Sequence, residues 1–260
     1  MKSKLTVVKV GGNLLEDQLR CQKILTAFAK AESPKILVHG GGKLASKLAM
    51  DLGITVNMHE GRRITDGATL EVIVMAYAGK VNKEVVAALQ KEGCDAIGLS
   101  GADANLIQAI KRPVAEVDFG FAGDITQVHT KTLLALLDLG LVPVFCALTH
   151  DGKGQLLNTN ADTIAAALCG ALSDHYEVTL KYCFEKKGVL RDVEDEASVI
   201  PEITPNTVQQ LIATGVISDG MLPKIHNSLK ALQSGAKAVH IGNEEIINGT
   251  AKHFTTLRHE

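Results

Sequence analysis

Short apolar, β-branched runs alternate along the chain with amphipathic stretches of about ten to fifteen residues. Such alternation is the sequence signature of βαβ units and a largely parallel sheet, so the fold class is α/β. The pattern predicts strands at Leu5–Val10, Lys35–His39, Ala96–Leu99, Val142–Ala147, Val178–Cys183 and Ala238–Ile241, with an antiparallel excursion around Pro113–Thr126. A helix is predicted over about Cys21–Lys30 and another directly after Gly40-Gly41-Gly42. Two further helix starts carry local markers. Thr204-Pro205 sets a capping hydroxyl before a proline suited to the first helical position, and Asn158-Thr159-Asn160 precedes the Ala-rich segment Ala161–Leu168.

No internal repeat, low-complexity tract or Pro/Ser linker divides the chain. The composition shift near Ser173-Asp174 marks the expected boundary between a larger N-terminal lobe, residues 1–174, and a smaller C-terminal lobe, residues 175–260. Composition narrows the function classes. No apolar run approaches the roughly eighteen residues that a membrane span needs. Met1-Lys2-Ser3-Lys4 leads straight into a strand pattern with no leader-like apolar core, so a soluble cytoplasmic protein is expected. Cys21, Cys94, Cys146, Cys169 and Cys183 are widely spaced and form no CxxC pair, which argues against disulfides and against a zinc site. Lys/Arg and Asp/Glu are interleaved to a formal net charge of −2, Trp is absent and aromatics total 3%. A nucleic-acid partner, which needs a basic block and stacking platforms, is therefore not expected. A small-molecule site is.

Lys9 is the first chemical anomaly. It lies within Val7-Val8-Lys9-Val10, a run that reads as a buried strand, just before Gly11-Gly12. A buried ammonium requires an anionic partner, and carboxyl ends of strands are where open α/β sheets bind ligands. The alternative is a lysine snorkelling from an edge strand. Gly11-Gly12 and Gly40-Gly41-Gly42 each separate a strand from a helix pattern; glycine lets amides approach an anion, and a helix N-terminus adds positive potential. Neither has GxxxxGK[ST] or GxGxxG spacing, and each taken alone is also a tight turn. Asn158-Thr159-Asn160-Ala161-Asp162 packs polar groups at a helix mouth, where capping is a sufficient explanation for any one of them. Ser218-Asp219-Gly220-Met221-Leu222-Pro223-Lys224 enters another helix with an early lysine.

Together these segments resemble one family. Lys9-Val10-Gly11-Gly12-Asn13, His39-Gly40-Gly41-Gly42, Gly61-Arg62-Arg63-Ile64-Thr65-Asp66, Asn158-Thr159-Asn160-Ala161-Asp162 and Ser218-Asp219-Gly220-Met221 with Lys224 are similar, in order and over nearly the whole chain, to the motifs of N-acetylglutamate kinases in the amino-acid kinase superfamily. The resemblance implies a two-lobed, three-layer αβα sandwich around a largely parallel open sheet. It implies ATP-dependent phosphorylation of the side-chain carboxylate of N-acetyl-L-glutamate in arginine biosynthesis. The N-terminal lobe would bind the acylated amino acid and the C-terminal lobe ATP, with Mg²⁺ held mainly by phosphates and water and no protein ligand assigned. Lys9, Asp162 and Lys224 match the catalytic residues: two lysines that neutralise the transferring phosphoryl and the nucleotide, and a carboxylate that positions them. Gly41, Gly42, Arg63, Asn158 and Asn160 match substrate-binding positions; Gly11, Gly12, Glu185, Gly220 and Met221 match nucleotide-binding ones. An ionised glutamate needs no catalytic base, so positioning and electrostatic stabilisation are the expected source of catalysis.

The segment Cys183-Phe184-Glu185-Lys186-Lys187-Gly188 departs from the family pattern. Phe184 stands where a small hydroxyl residue is usual, Glu185 where an aspartate is, and Lys186 and Lys187 are either phosphate contacts or a solvated loop. Because Leu5 opens the first strand at once, a homodimer is expected, without the N-terminal helix that other members use in an arginine-inhibited hexamer. N-succinyl-L-glutamate is an alternative acceptor, with Arg62 or Lys43 placed to meet its extra carboxylate. Carbamate, uridylate or aspartate acceptors, and a non-catalytic amino-acid sensor, are the competing readings.

Overall fold

The structure is a computed structural model and describes residues 2–32, 34–218 and 221–259, with the backbone alone described for Asn13 and Glu16. Among the described residues, eight strands form the main sheet in the order Glu202–Ile203, Thr255–Leu257, Ala238–Gly242, Tyr176–Cys183, Ser3–Val10, Lys35–His39, Val142–Phe145 and Ala96–Leu99. From Ala238–Gly242 to Ala96–Leu99 all neighbours are parallel; Thr255–Leu257 runs antiparallel to Ala238–Gly242. Ser3–Val10 is thus an interior strand, paired over its length with Tyr176–Cys183, and Lys9 sits between Tyr182 and Val38. Snorkelling from an edge is excluded.

Side chains alternate across a strand, and the first strand sorts its residues accordingly. Leu5 and Val7 enter the apolar cluster that includes Ile164, Leu168, Ile225 and Leu232; Val8 and Val10 enter the cluster on the other face with Ile24, Phe28, Val85 and Leu89. Helices Ala161–Leu172 and Met221–Gln233 therefore cover one face, while Gln18–Lys30 and Asn82–Lys91 cover the other. Lys9, two residues after Val7, points toward Ala161–Leu172. Gly170 lets that helix approach Met221–Gln233 closely, since a Cβ there would come 2.7 Å from the Ser234 Cβ.

The predicted strand Val142–Ala147 ends at Phe145, and the chain resumes as Leu148–His150 in a second sheet ordered Leu156–Asn158, Leu148–His150, Ile107–Lys111 and Gly123–Val128. The antiparallel excursion is present but displaced. Its strands are Ile107–Lys111 and Gly123–Val128, and most of 113–126 is the connecting loop. Proline cannot donate to a ladder, so the strand stops before Arg112-Pro113. Thr204 and Pro205 open the helix Pro205–Ala213 as expected, with the Thr204 N–H donating to the Thr207 hydroxyl. Asn160 caps Ala161–Leu172, which runs four residues beyond the predicted end.

Candidate active site

The carboxyl ends of Ser3–Val10, Lys35–His39 and Tyr176–Cys183 lie side by side, and the charged centre is built just beyond them. Lys9 Nζ lies 2.7 Å from Asp162 Oδ1, and Lys224 Nζ lies 3.5 Å from Asp162 Oδ2. One buried carboxylate thus separates two ammonium groups, with 7% of its side chain exposed against 11% for Lys9 and 20% for Lys224. Oδ1 receives no aligned hydrogen bond, so the Lys9 contact is chiefly charge on charge. Burial alone would raise the Asp162 pKa, but the Lys9 and Lys224 charges outweigh it and hold the carboxyl below its ordinary value. Lys224 is lowered by its burial and by Lys9, while Asp162 opposes the fall.

The position of Asp162 follows from its surroundings. Asn160 Oδ1 accepts the Asp162 and Thr163 N–H groups at 2.8 and 3.2 Å, fixing the first turn of the helix. The buried Tyr182 hydroxyl donates to the Asp162 carbonyl at 3.1 Å, from the residue paired with Lys9 across the sheet. Lys224 lies in the first turn of Met221–Gln233, held beside Asp162 by the close helix pairing.

The two glycine turns converge on this centre. A Cβ on Gly12 would sit 3.5 Å from both the Gly41 and Gly42 nitrogens, so a side chain there would cover those amides. Helix Gly42–Asp51 starts at Gly41 with no side-chain cap, leaving first-turn donors toward the site. Gly41 must be glycine, because a Cβ would come 2.8 Å from Tyr77 Cδ1. Gly11 acts differently from its neighbours: its N–H donates to the Cys183 carbonyl, and its own carbonyl accepts from Leu14 N–H. It anchors the turn instead of offering a donor.

Arg63, Gly42 and Asn158 form a connected wall. Arg63 Nη2 donates to the Gly42 carbonyl at 2.9 Å and to Ser46 Oγ at 2.8 Å. Asn158 Nδ2 donates to Thr65 Oγ1, which donates to the Arg63 carbonyl. Gly120, at φ +63°, lets the 112–122 loop lie against Thr65, where a Cβ would meet the Thr65 carbonyl at 2.1 Å. The Tyr77 ring, raised in pKa by burial against the opposing pull of Arg63, backs the glycine turn from a π-helical segment, Met75–Val81. Asn160 is exposed and holds its helix cap through Oδ1.

On the other flank, Glu185 is exposed and its charge supports the Lys224 ammonium. Phe184 packs on the core. Lys186 Nζ donates to the Val193 carbonyl and Lys187 pairs with Glu196 at 3.8 Å, so both lysines tie the 184–198 loop to itself. The Met221 N–H donates to the Ser218 carbonyl, and Gly220 and Asp219 lie outside the described residues. Lys43 and Arg62 are exposed, Lys43 on the first turn of Gly42–Asp51 and Arg62 beside Arg63. Among the described residues no three His, Cys, Asp or Glu side chains converge on a point. Ammonium groups and amide N–H groups instead make a donor set suited to a polyanion.

Reading the sequence missed the residues that hold others in place: Tyr182, Thr65, Ser46, Tyr77, His39 as a functional side chain, and Asn82. His39, directly before three glycines, and Thr65, two residues after Arg63, carried a local signal; the others did not.

Residues 4–243 match the amino acid kinase family. The chain is 52% identical over 248 residues to the acetylglutamate kinase of Phocaeicola vulgatus, covering 95% of this chain and 96% of that one. It is 54% identical over 241 residues to the acetylglutamate kinase of Bacteroides fragilis, covering 93% and 92%. Among solved structures, a Streptococcus mutans protein superposes with a TM-score of 0.79 at 26% identity, over 98% of each chain.

Proposed function

The chain belongs to the amino acid kinase family, and on that premise we propose that it transfers the γ-phosphoryl group of ATP to the side-chain carboxylate of N-acetyl-L-glutamate. The observation that carries this reading is the Lys9–Asp162–Lys224 centre at the carboxyl edge of the sheet, with the amides of Gly41 and Gly42 facing Gly12 beside it. The acetylglutamate kinases to which the chain is about half identical supply the acceptor. Residues 1–174 hold the acylated amino acid and residues 175–260 the nucleotide.

A side-chain carboxylate oxygen forms a bond to the γ-phosphorus as the bond from that phosphorus to the β,γ-bridging oxygen breaks. An acyl phosphate and ADP result, and no proton moves. The carboxylate is ionised at neutral pH with an ordinary pKa of about 4.3, so a base is unnecessary and the barrier is repulsion between anions. Lys9 neutralises the phosphoryl in flight and Lys224 the nucleotide side of it, both restrained by Asp162. Gly12, Gly41 and Gly42 add amides that need no reorganisation. Arg63, Asn158 and Asn160 hold the acceptor's remaining polar groups, so its reactive oxygen meets phosphorus in line. Mg²⁺, carried on the nucleotide phosphates and water, supplies additional charge neutralisation when bound. Cytoplasmic action as a homodimer belongs to the same proposal and is checked by fractionation and by sedimentation.

The test is incubation with Mg-ATP and N-acetyl-L-glutamate, with hydroxylamine to trap acyl phosphate and Lys9→Ala as control. Hydroxamate that disappears in the control is the expected result; none above the control overturns the assignment. A parallel arm with N-succinyl-L-glutamate names the acyl group by the larger rate.

A further inference from the structure

A buried polar chain runs from the middle of the sheet to the glycine turn. Asn82 is 1% exposed and opens helix Asn82–Lys91; His39 is fully buried and ends the strand Lys35–His39. Asn82 Nδ2 lies 2.9 Å from the Val144 carbonyl and 3.1 Å from His39 Nε2, and His39 Nδ1 lies 2.8 Å from the Gly40 carbonyl. Lys83 Nζ, at 3.2 Å, donates to Asn82 Oδ1, so the amide is oriented with its nitrogen toward Val144 and His39. Gly98 makes room for that amide, since a Cβ there would come 2.0 Å from Asn82 Oδ1.

These contacts permit one protonation pattern. An amide nitrogen carries two hydrogens, one for Val144 and one for His39, so Nε2 must be the acceptor. The imidazole proton then sits on Nδ1 and is donated to the Gly40 carbonyl. Burial lowers the His39 pKa to about 4, so the ring is neutral at physiological pH. The Gly40–Gly41 peptide is planar, and its carbonyl and N–H point in opposite directions. Drawing the Gly40 carbonyl toward His39 therefore turns the Gly41 N–H away from it, and the Gly41 nitrogen is one of the two that a Gly12 Cβ would meet at 3.5 Å.

We infer that Asn82 and His39 are positioning residues for phosphoryl transfer: through the Gly40 carbonyl they fix the direction of the Gly41 amide, without touching substrate. This role rests on the kinase reading given above. Glycine has the freest backbone of any residue, and three in succession would otherwise sample several peptide orientations. A misdirected donor at the transferring group costs on the order of 10²-fold in rate.

Two measurements test it. Long-range ¹H–¹⁵N spectra of the unmodified protein at neutral pH are expected to show His39 protonated at Nδ1 alone; an Nε2-protonated ring or an imidazolium overturns the relay without any variant. In the hydroxamate assay, His39→Leu, which keeps bulk and removes the donor, is expected to lower kcat by about 10²-fold with KM for both substrates within a few-fold. His39→Asn, whose amide nitrogen reproduces the Nδ1 donor, is expected to recover most of the loss. A His39→Leu enzyme with unchanged kcat, or a His39→Asn enzyme no better than His39→Leu, overturns the proposal while leaving the kinase reading intact. An unmodified protein that phosphorylates neither acylated glutamate removes the kinase reading, and this role with it.

Discussion

The two flanks of the Asp162 carboxylate are built on different principles. On the flank proposed to hold the acceptor, polar groups are tied together across long stretches of chain: Asn158 to Thr65 spans 93 residues, Asn82 to Val144 62, and His39 to Asn82 43. On the flank proposed for the nucleotide, the two ends of the loop after Cys183 are held from afar, Phe184 N–H donating to the Gly242 carbonyl and Val189 N–H to Thr255 Oγ1, while its outer turn closes on itself. The Ser198 hydroxyl accepts from the Asp192 N–H and donates to the Asp192 carbonyl, Lys186 reaches Val193, and the Lys187–Glu196 pair is about half exposed on both members. Long-range buried bonds cannot open singly without disturbing packed strands, whereas local exposed ones open at little cost. The flank proposed for the acceptor is thus preorganised, and the outer turn at residues 191–198 is the adaptable part of the other.

The comparison can be broken in four places. Lys9→Ala should lower kcat by at least about 10³-fold, since it removes one of two cations facing the phosphoryl in a site shielded from water, and single-turnover hydroxamate formation would measure it. A loss under tenfold would mean that the amides alone suffice.

Stability should depend on pH through the acceptor side. The His39 pKa falls from 6.5 to about 4 on folding, so the unfolded chain binds the proton first as pH drops. Stability is full above about 6.5, declines as pH falls toward 4 by roughly 3 kcal/mol, and then levels for this group. Partly buried His240 on the other flank, also lowered to about 4 by burial and by Lys181, contributes in the same window. Urea melts across this range should therefore lose slope in His39→Asn, and lose the remainder when His240 is replaced as well. Asp162 acts in the same direction but in a lower window. Its pKa is lowered on folding from 3.8, so its contribution is present above about that pH and vanishes as pH falls through the folded value; the stability difference from Asp162→Asn should be constant above pH 5 and shrink below.

Arg63→Lys should raise KM for the acylated glutamate by about 10- to 100-fold with KM for ATP unchanged, because an ammonium cannot hold Gly42 and Ser46 and still present a second edge to a carboxylate. Equal effects on both substrates would mean that the two flanks are not separable. The smallest effect belongs to Lys187→Ala, expected within about 0.5 kcal/mol of the unmodified protein by thermal melt and with ordinary activity, since exposed ion pairs contribute little.

The sequence by itself determined the elements and the reactive groups. Strand periodicity announced an interior strand carrying a lysine, because an apolar run with one ammonium has few physical meanings, and the glycine turns and the Asn160 cap were legible from local chemistry. It also placed the break in pattern at Cys183–Gly188. What only the tertiary structure decided were pairings between residues far apart in the chain: that Gly11 donates to Cys183 while Gly12 faces Gly41 and Gly42, that Asn158 reaches Thr65, and that Asn82 reaches His39. Residue type limits what a group can do, but the direction of a single peptide N–H depends on a carbonyl held from a strand and helix distant in sequence, and no local pattern records that.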